Sequence, residues 1–156
     1  MASEDQLRRL DKRQRRFLHE LGISDSEAFG TYNFAPPSLR RRIGMLGFLH
    51  KRVLRQCHPY LEIAFPMATY PAGFHSRTLH SFLDEMIYHR RPYFRSIYGY
   101  IHIYNRLSQS LVASSSVSIF QARLTHVAKV RAQSGDVRWR QAFADCADVL
   151  GNVHGP

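Results

Sequence analysis

"FRSIYGYIHIYNRLSQSLV", Phe94 to Val112, decides whether this chain is all-helical or mixed. Ile97, Gly99, Ile101 and Ile103 alternate there with Tyr98, Tyr100, His102 and Tyr104, as they would in a half-buried strand. Taken at about 3.6 residues per turn, Phe94, Ile97, Ile101, Tyr104, Leu107 and Leu111 instead line one face of a helix over a longer span. A strand needs a partner, because an unpaired ladder leaves backbone donors and acceptors unsatisfied. No other stretch offers one. The segment reads as helix, and the chain as all-α.

Working outward, the same test sorts the other segments. In the first, Leu7, Leu10, Phe17, Leu18 and Leu21 share one helical face, and Arg8, Arg9, Lys12, Arg13, Arg15 and Arg16 share the other. Gly22 fits the C-cap. "SDSEAFGTYNFAPPS" (Ser24 to Ser38) predicts a short helical turn begun by Ser24 or Ser26. Pro36-Pro37 then stops it, and Ser38 is placed to cap the next helix.

That helix, "SLRRRIGMLGFLHKRVL" (Ser38 to Leu54), is apolar and basic at once. Leu39, Ile43, Leu46, Leu49, His50, Val53 and Leu54 fall on one side, with Arg40, Arg41, Lys51, Arg52 and Arg55 on the other. Arg42 sits at the apolar edge, and Met45 and Phe48 sit within the basic face. Gly44 and Gly47 mark a seam where a second helix could come close, so two neighbours are expected, with Phe48 buried against one of them. His50 is expected to be a hydrogen-bonded core histidine, and Tyr104 a core residue.

From His58 to Pro92 the punctuation is dense, with Pro59, Pro66, Pro71, Gly73 and Pro92. "PYLEIAF" predicts a short helical turn, followed by an irregular connection in which "SRTLHSFLDEMIY" is a further helical candidate. Towards the C-terminus, Ser116 is placed to cap a helix whose Val117, Phe120, Leu124, Val127 and Ala128 share a face, with Gly135 after its end. Asp136 can cap a last helix with Trp139, Phe143, Cys146 and Leu150 on one side. The expected architecture is one domain over 1–156, a small basic bundle of about five helices. Its helical halves cover about 4–64 and 93–150, with a Pro/Gly-containing connection at about 65–92.

The formal charge of +10 predicts attraction to polyanions, nucleic acid before an anionic membrane surface. Two cysteines make no disulfide framework, no apolar run reaches the roughly 20 residues of a membrane span, and no signal or transit peptide is recognisable. A nuclear or cytoplasmic, non-secreted protein is expected. "FLDEM" (Phe82 to Met86) lacks the apolar hairpin and third acid of a two-metal polymerase site, and reads as an acidic patch beside Arg90 and Arg91. Cys57, His58, His75, His80 and His89 lack zinc-site spacing, and neither a nucleophile elbow nor a glycine-rich phosphate loop is present. No catalytic residue, metal or cofactor is assigned. Tyr98 and Tyr100 could stack on bases, though packing is the stronger reading.

Two stretches carry a resemblance. "YNFAPPSLRRRIGMLGFLHKRVL" followed by "CHP", and "RSIYGYIHIYNRLSQSLVASSSVSIFQARL", are similar to segments downstream of the polymerase domain in LINE-type (non-LTR) retrotransposon reverse transcriptases. The matching positions in the first are Asn33, Ala35, Pro36, Leu39, Arg40, Arg41, Met45, Leu46, Gly47, Leu49, His50 and Lys51. In the second they are Arg95, Ser96, Ile97, Tyr104, Asn105, Leu107, Val112, Val117, Phe120 and Leu124. The sequence departs from the family at Ser108, where proline is common, and it lacks the Cys–Cys–His–Cys knuckle of some members.

The resemblance implies a C-terminal fragment, or a gene model cut from a decayed element, lying near template RNA and target DNA in the whole enzyme. Its partners would be RNA or DNA, met at the phosphate backbone, and the polymerase domain of a parent protein. The candidate contacts are Arg8, Arg9, Lys12, Arg13, Arg15, Arg16, Arg40, Arg41, Lys51, Arg52 and Arg55. The competing reading is an independent helical protein-interaction module whose arginines form only a solvated face.

Overall fold

The computed structural model describes residues 4–68, Phe82 and 97–144. Among them are seven α-helices: α1 (Glu4–Glu20), α2 (Asp25–Gly30), α3 (Pro37–Val53), α4 (Tyr60–Ala64), α5 (Ile97–Tyr104), α6 (Gln109–Val112) and α7 (Val117–Gln133). A 3-10 turn, Trp139–Gln141, follows. The only strand-type pairing among the described residues is an isolated bridge between Met67 and Phe82. The chain is all-α, and Ile97–Tyr104 is helical as the longer period requires.

α3 is the central element, packed against α7, α5 and α1. Its Leu39, Ile43, Leu46, Leu49 and His50 meet Phe120, Leu124 and Ala128 of α7 and Ile101 and Tyr104 of α5 in one core. Gly47 permits the approach of α7, since a Cβ there would lie 2.3 Å from the Gln121 side-chain nitrogen. Gly44 has no such role and faces open space. α4 buries no residue.

Local chemistry sets several boundaries as expected. The Ser24 and Ser116 hydroxyls accept the backbone N–H of Glu27 and Ile119 at 3.1 and 3.2 Å. Gly22 and Gly135 end α1 and α7 at φ of 69° and 78°, where a side chain would be strained. Asn33, at φ 55°, tolerates the same left-handed backbone and turns the chain into Pro36.

Four expectations are corrected. Ser38 does not cap α3. Pro37 holds the first position with its φ preset, and the Ser38 N–H donates to the Asp11 carboxylate of α1 at 3.0 Å. A negative charge at that helix end is also favoured by the dipole. Second, the expected helix over 94–111 is divided. Arg106 and Leu107 close tight i→i+3 bonds onto Ile103 and Tyr104, and the Asn105 side chain turns away to bond both backbone groups of Phe82, at 2.8 and 2.9 Å. Ser108 then opens α6 at φ −63°, close to what a proline ring would impose.

Third, the last helix is only the 3-10 turn among the described residues. Asp136 does open it, accepting from the backbone N–H of Arg138 and Trp139. Phe143, at φ 61°, ends the helical path, with its ring buried beside Trp139 and Ala142 in the core. α1 is amphipathic, as its spacing predicts, and sits at the edge of the bundle. Leu7 and Leu18 are buried, while Leu10, Phe17 and Leu21 are 46%, 54% and 55% exposed. Fourth, Phe48, expected to be buried, is 39% exposed and among the described aromatic rings makes only an edge contact with Phe65.

Expectations on Cys146, Leu150, Phe94, His75, His80, His89, Arg90 and Arg91, on the acids of "FLDEM", and on most of the 65–92 connection lie outside the described residues. No described helix is long and apolar enough to cross a membrane.

Candidate nucleic-acid interface

Beneath the candidate cations, a core knot ties together α3, α5 and α7. His50 is fully buried, stacked on Phe120 with ring centroids 4.2 Å apart. Its Nε2 lies 2.9 Å from the Ser114 carbonyl, which can only accept, so Nε2 carries the proton. Nδ1 lies 2.8 Å from the Tyr104 hydroxyl, which can donate to it. Burial pushes the Tyr104 phenol well above its ordinary value, which keeps that hydroxyl a donor. His50 is thereby the satisfied core histidine that its position on the helix predicts.

Around this core the eleven candidate cations fall into different classes. On α1, Arg9, Lys12, Arg13 and Arg16 are exposed and have no carboxylate partner among the described residues. Arg8 is paired with Asp5 on the same helix. Arg15 lies 3.4 Å from Asp25, a carboxylate that Arg140 already holds at 2.7 Å. The α1 set shares one arc of one helix, as its spacing predicts.

The α3 set does not form a comparable face. Arg40 lies over the Phe34 ring at 5.8 Å, and Arg41 is half-buried. Lys51 and Arg55 are exposed at the far end, about 15 Å along the axis, with Gly44 and Phe48 between. Arg52 is corrected outright: its side chain is buried, donating from Nε to the Phe65 carbonyl at 3.2 Å and lying 3.8 Å from Glu62. It ties α3 to the end of α4, and a phosphate could reach it only by breaking that tie.

Several cations outside the candidate set are structural in the same way, and of these only Arg42, at the apolar edge of its helix, stood out by period. Arg42 donates to the Arg140 carbonyl at 2.8 Å, and Arg123 to the Ser110 carbonyl at 2.6 Å. Arg131 holds Asp136 at 2.7 Å, and that bond, with the Arg138 backbone N–H, keeps the carboxyl below its ordinary value. Lys129 bonds the Gly30 carbonyl at 3.2 Å and lies over Phe29, which is stacked on Trp139.

Among the described residues no group of three His, Cys, Asp or Glu side chains could hold a metal ion. The chain matches no protein-family model, no curated protein and no solved structure.

Proposed function

We propose that this chain is a non-catalytic, basic helical accessory region of a non-LTR-type reverse transcriptase, binding RNA or DNA through the phosphate backbone. The observation that carries the reading is the exposed arc of Arg9, Lys12, Arg13 and Arg16, unpaired among the described residues. A cation already held by a carboxylate gains little from a phosphate. An unpaired one releases condensed counterions from the nucleic acid when it docks. Such contacts position a backbone without reading its bases.

The resemblance supplies the class of protein. In its support, matched positions have definable work in the fold: Asn33 in the left-handed turn, Gly47 beneath Gln121, His50 on Tyr104 and Asn105 on Phe82. A run of such residues reads as a folding motif rather than a catalytic one.

The test is salt-dependent binding to single-stranded RNA and to duplex DNA. With six phosphates contacted, affinity is expected to fall about a thousandfold between 50 and 200 mM salt. Replacing Arg9, Lys12, Arg13 and Arg16 with glutamine should flatten the log–log slope by about 3.6 on duplex DNA and about 2.8 on single-stranded RNA. An unchanged slope in that variant removes α1 from the interface, and salt-independent binding removes the phosphate reading altogether.

A further inference from the structure

Phosphate binding makes no use of the knot around His50, which is a titratable group at the centre of the core. The ring is fully buried, and each of its nitrogens faces a polar atom. The Ser114 carbonyl, 2.9 Å from Nε2, can only accept. The Tyr104 hydroxyl, 2.8 Å from Nδ1, can donate, and burial pushes that phenol further from ionising. A neutral ring with its proton on Nε2 satisfies both. A second proton, on Nδ1, would force the Tyr104 oxygen to accept and would take from the hydroxyl hydrogen the acceptor it has. It would also place a full charge where the ring has no exposed surface.

The surroundings make that charge costlier. The helices tied by the knot, with α6 before Ser114, are α3, α5, α6 and α7, and none of the four contains an aspartate or glutamate. From α5 the ring meets Tyr104, itself edge-on to neutral Phe82. From α7 it meets Phe120, and the Arg123 guanidinium one turn further on donates to the Ser114 hydroxyl at 3.2 Å. On α3 itself the next residues are Lys51 and Arg52, and Glu62 of α4 lies 3.8 Å from Arg52. A proton added to His50 joins a cationic neighbourhood.

We infer that the knot is an acid-sensitive latch: folding holds His50 neutral, and protonating it opens the core between α3, α5 and α7. The unfolded chain takes up a proton at His50 below about pH 6.5, and the folded chain does not. Stability from the latch is therefore full above that pH and is lost as pH falls below it, about tenfold in the folding constant per unit. The Asp136 carboxyl acts in a separate window, below about 3.9. The inference goes beyond the nucleic-acid reading and does not rest on it.

The full chain is unfolded in urea between about pH 7.5 and 4.5, followed by emission from Trp139, its one tryptophan, which is buried. Over that range the native folding constant is expected to fall about a hundredfold more than that of His50→Gln. A glutamine amide can donate to the Ser114 carbonyl and accept from Tyr104, and it does not titrate. Groups common to both chains cancel in the comparison. A difference below about tenfold would overturn the inference. Where glutamine cannot replace the ring and the variant does not fold, the native chain decides alone, through the proton NMR signals of the His50 ring. Their folded-state midpoint is expected below about pH 5.5, and a midpoint at or above that value, as a counter-charge would produce, overturns the latch.

Discussion

α1 and α3 have the same length and the same ingredients, seventeen residues mixing leucine, phenylalanine and arginine, and use them in opposite ways. α1 is the more cleanly divided of the two, yet buries only Leu7 and Leu18 of its apolar face and leaves four cations unpaired among the described residues. α3 is the less regular, with glycines, Met45 and Phe48 among its charges, and it is the centre of the core. Its polar residues are drawn inward as well: His50 bonds Tyr104 and Ser114, and Arg52 bonds Phe65. Here the clean amphipathic pattern marks the element at the edge of the bundle, against α3 and α2, and the broken one marks the element at its centre. The arginines to suspect of function are those on the tidy helix.

That contrast can be broken most sharply at His50. Replacing it with alanine leaves a cavity and strips partners from Tyr104 and Ser114, at an expected cost of about 3–5 kcal/mol in urea unfolding. A loss below about 1 kcal/mol would mean that the knot does not organise the core. Arg52→Met, which removes the bond to the Phe65 carbonyl and keeps the aliphatic stem, should cost about 1–3 kcal/mol. Its α1 counterpart, Arg9→Gln, should stay within about 0.5 kcal/mol in the same titration. If the two arginine variants proved equally stable, the division between structural and available cations would fail.

Smaller effects sharpen the picture. Asp11→Ala removes the carboxylate that caps α3 from α1 and should cost about 1 kcal/mol. Gly44→Ala, in open space on a helix, should stabilise by about 0.5–1 kcal/mol, whereas Gly47→Ala must first displace Gln121 and should gain less or lose. The smallest effect is that of Asp136. The Asp136 carboxyl is held below its ordinary value in the folded chain, so its contribution is present above the unfolded value, about 3.9, and is lost as pH falls through the lowered one. Asp136→Asn should remove that part of the acid sensitivity and leave stability at neutral pH lower by less than about 1 kcal/mol. Unfolding midpoints measured from pH 2 to 7 would show it.

The candidate site was legible to the extent that it depends on one helix. The spacing of Arg9, Lys12, Arg13 and Arg16 places them on one arc whatever packs behind them. The fate of Arg52 depends on a carbonyl thirteen residues away, and that of Arg15 on an aspartate shared with distant Arg140. Neither could be read from a helical period. The exposure of Leu10, Phe17 and Leu21 escaped for a related reason: periodicity shows which residues share a face, not how much of that face a neighbour covers.

By itself the sequence determined what is local. Period decides Ile97–Tyr104 as helix, serine hydroxyls start α2 and α7, glycines end α1 and α7, and alternation of apolar and basic residues selects the inner faces of α3 and α7. These follow from backbone sterics and from hydrogen bonds spanning three or four residues. Only the tertiary structure decided the rest. Asp11 reaches Ser38 across 27 residues, His50 reaches Tyr104 across 54, and Arg140 reaches Asp25 across 115. A side chain's partner at such separations is set by how the helices pack, and that packing divides this basic chain's arginines between those that hold the fold and those open to a partner.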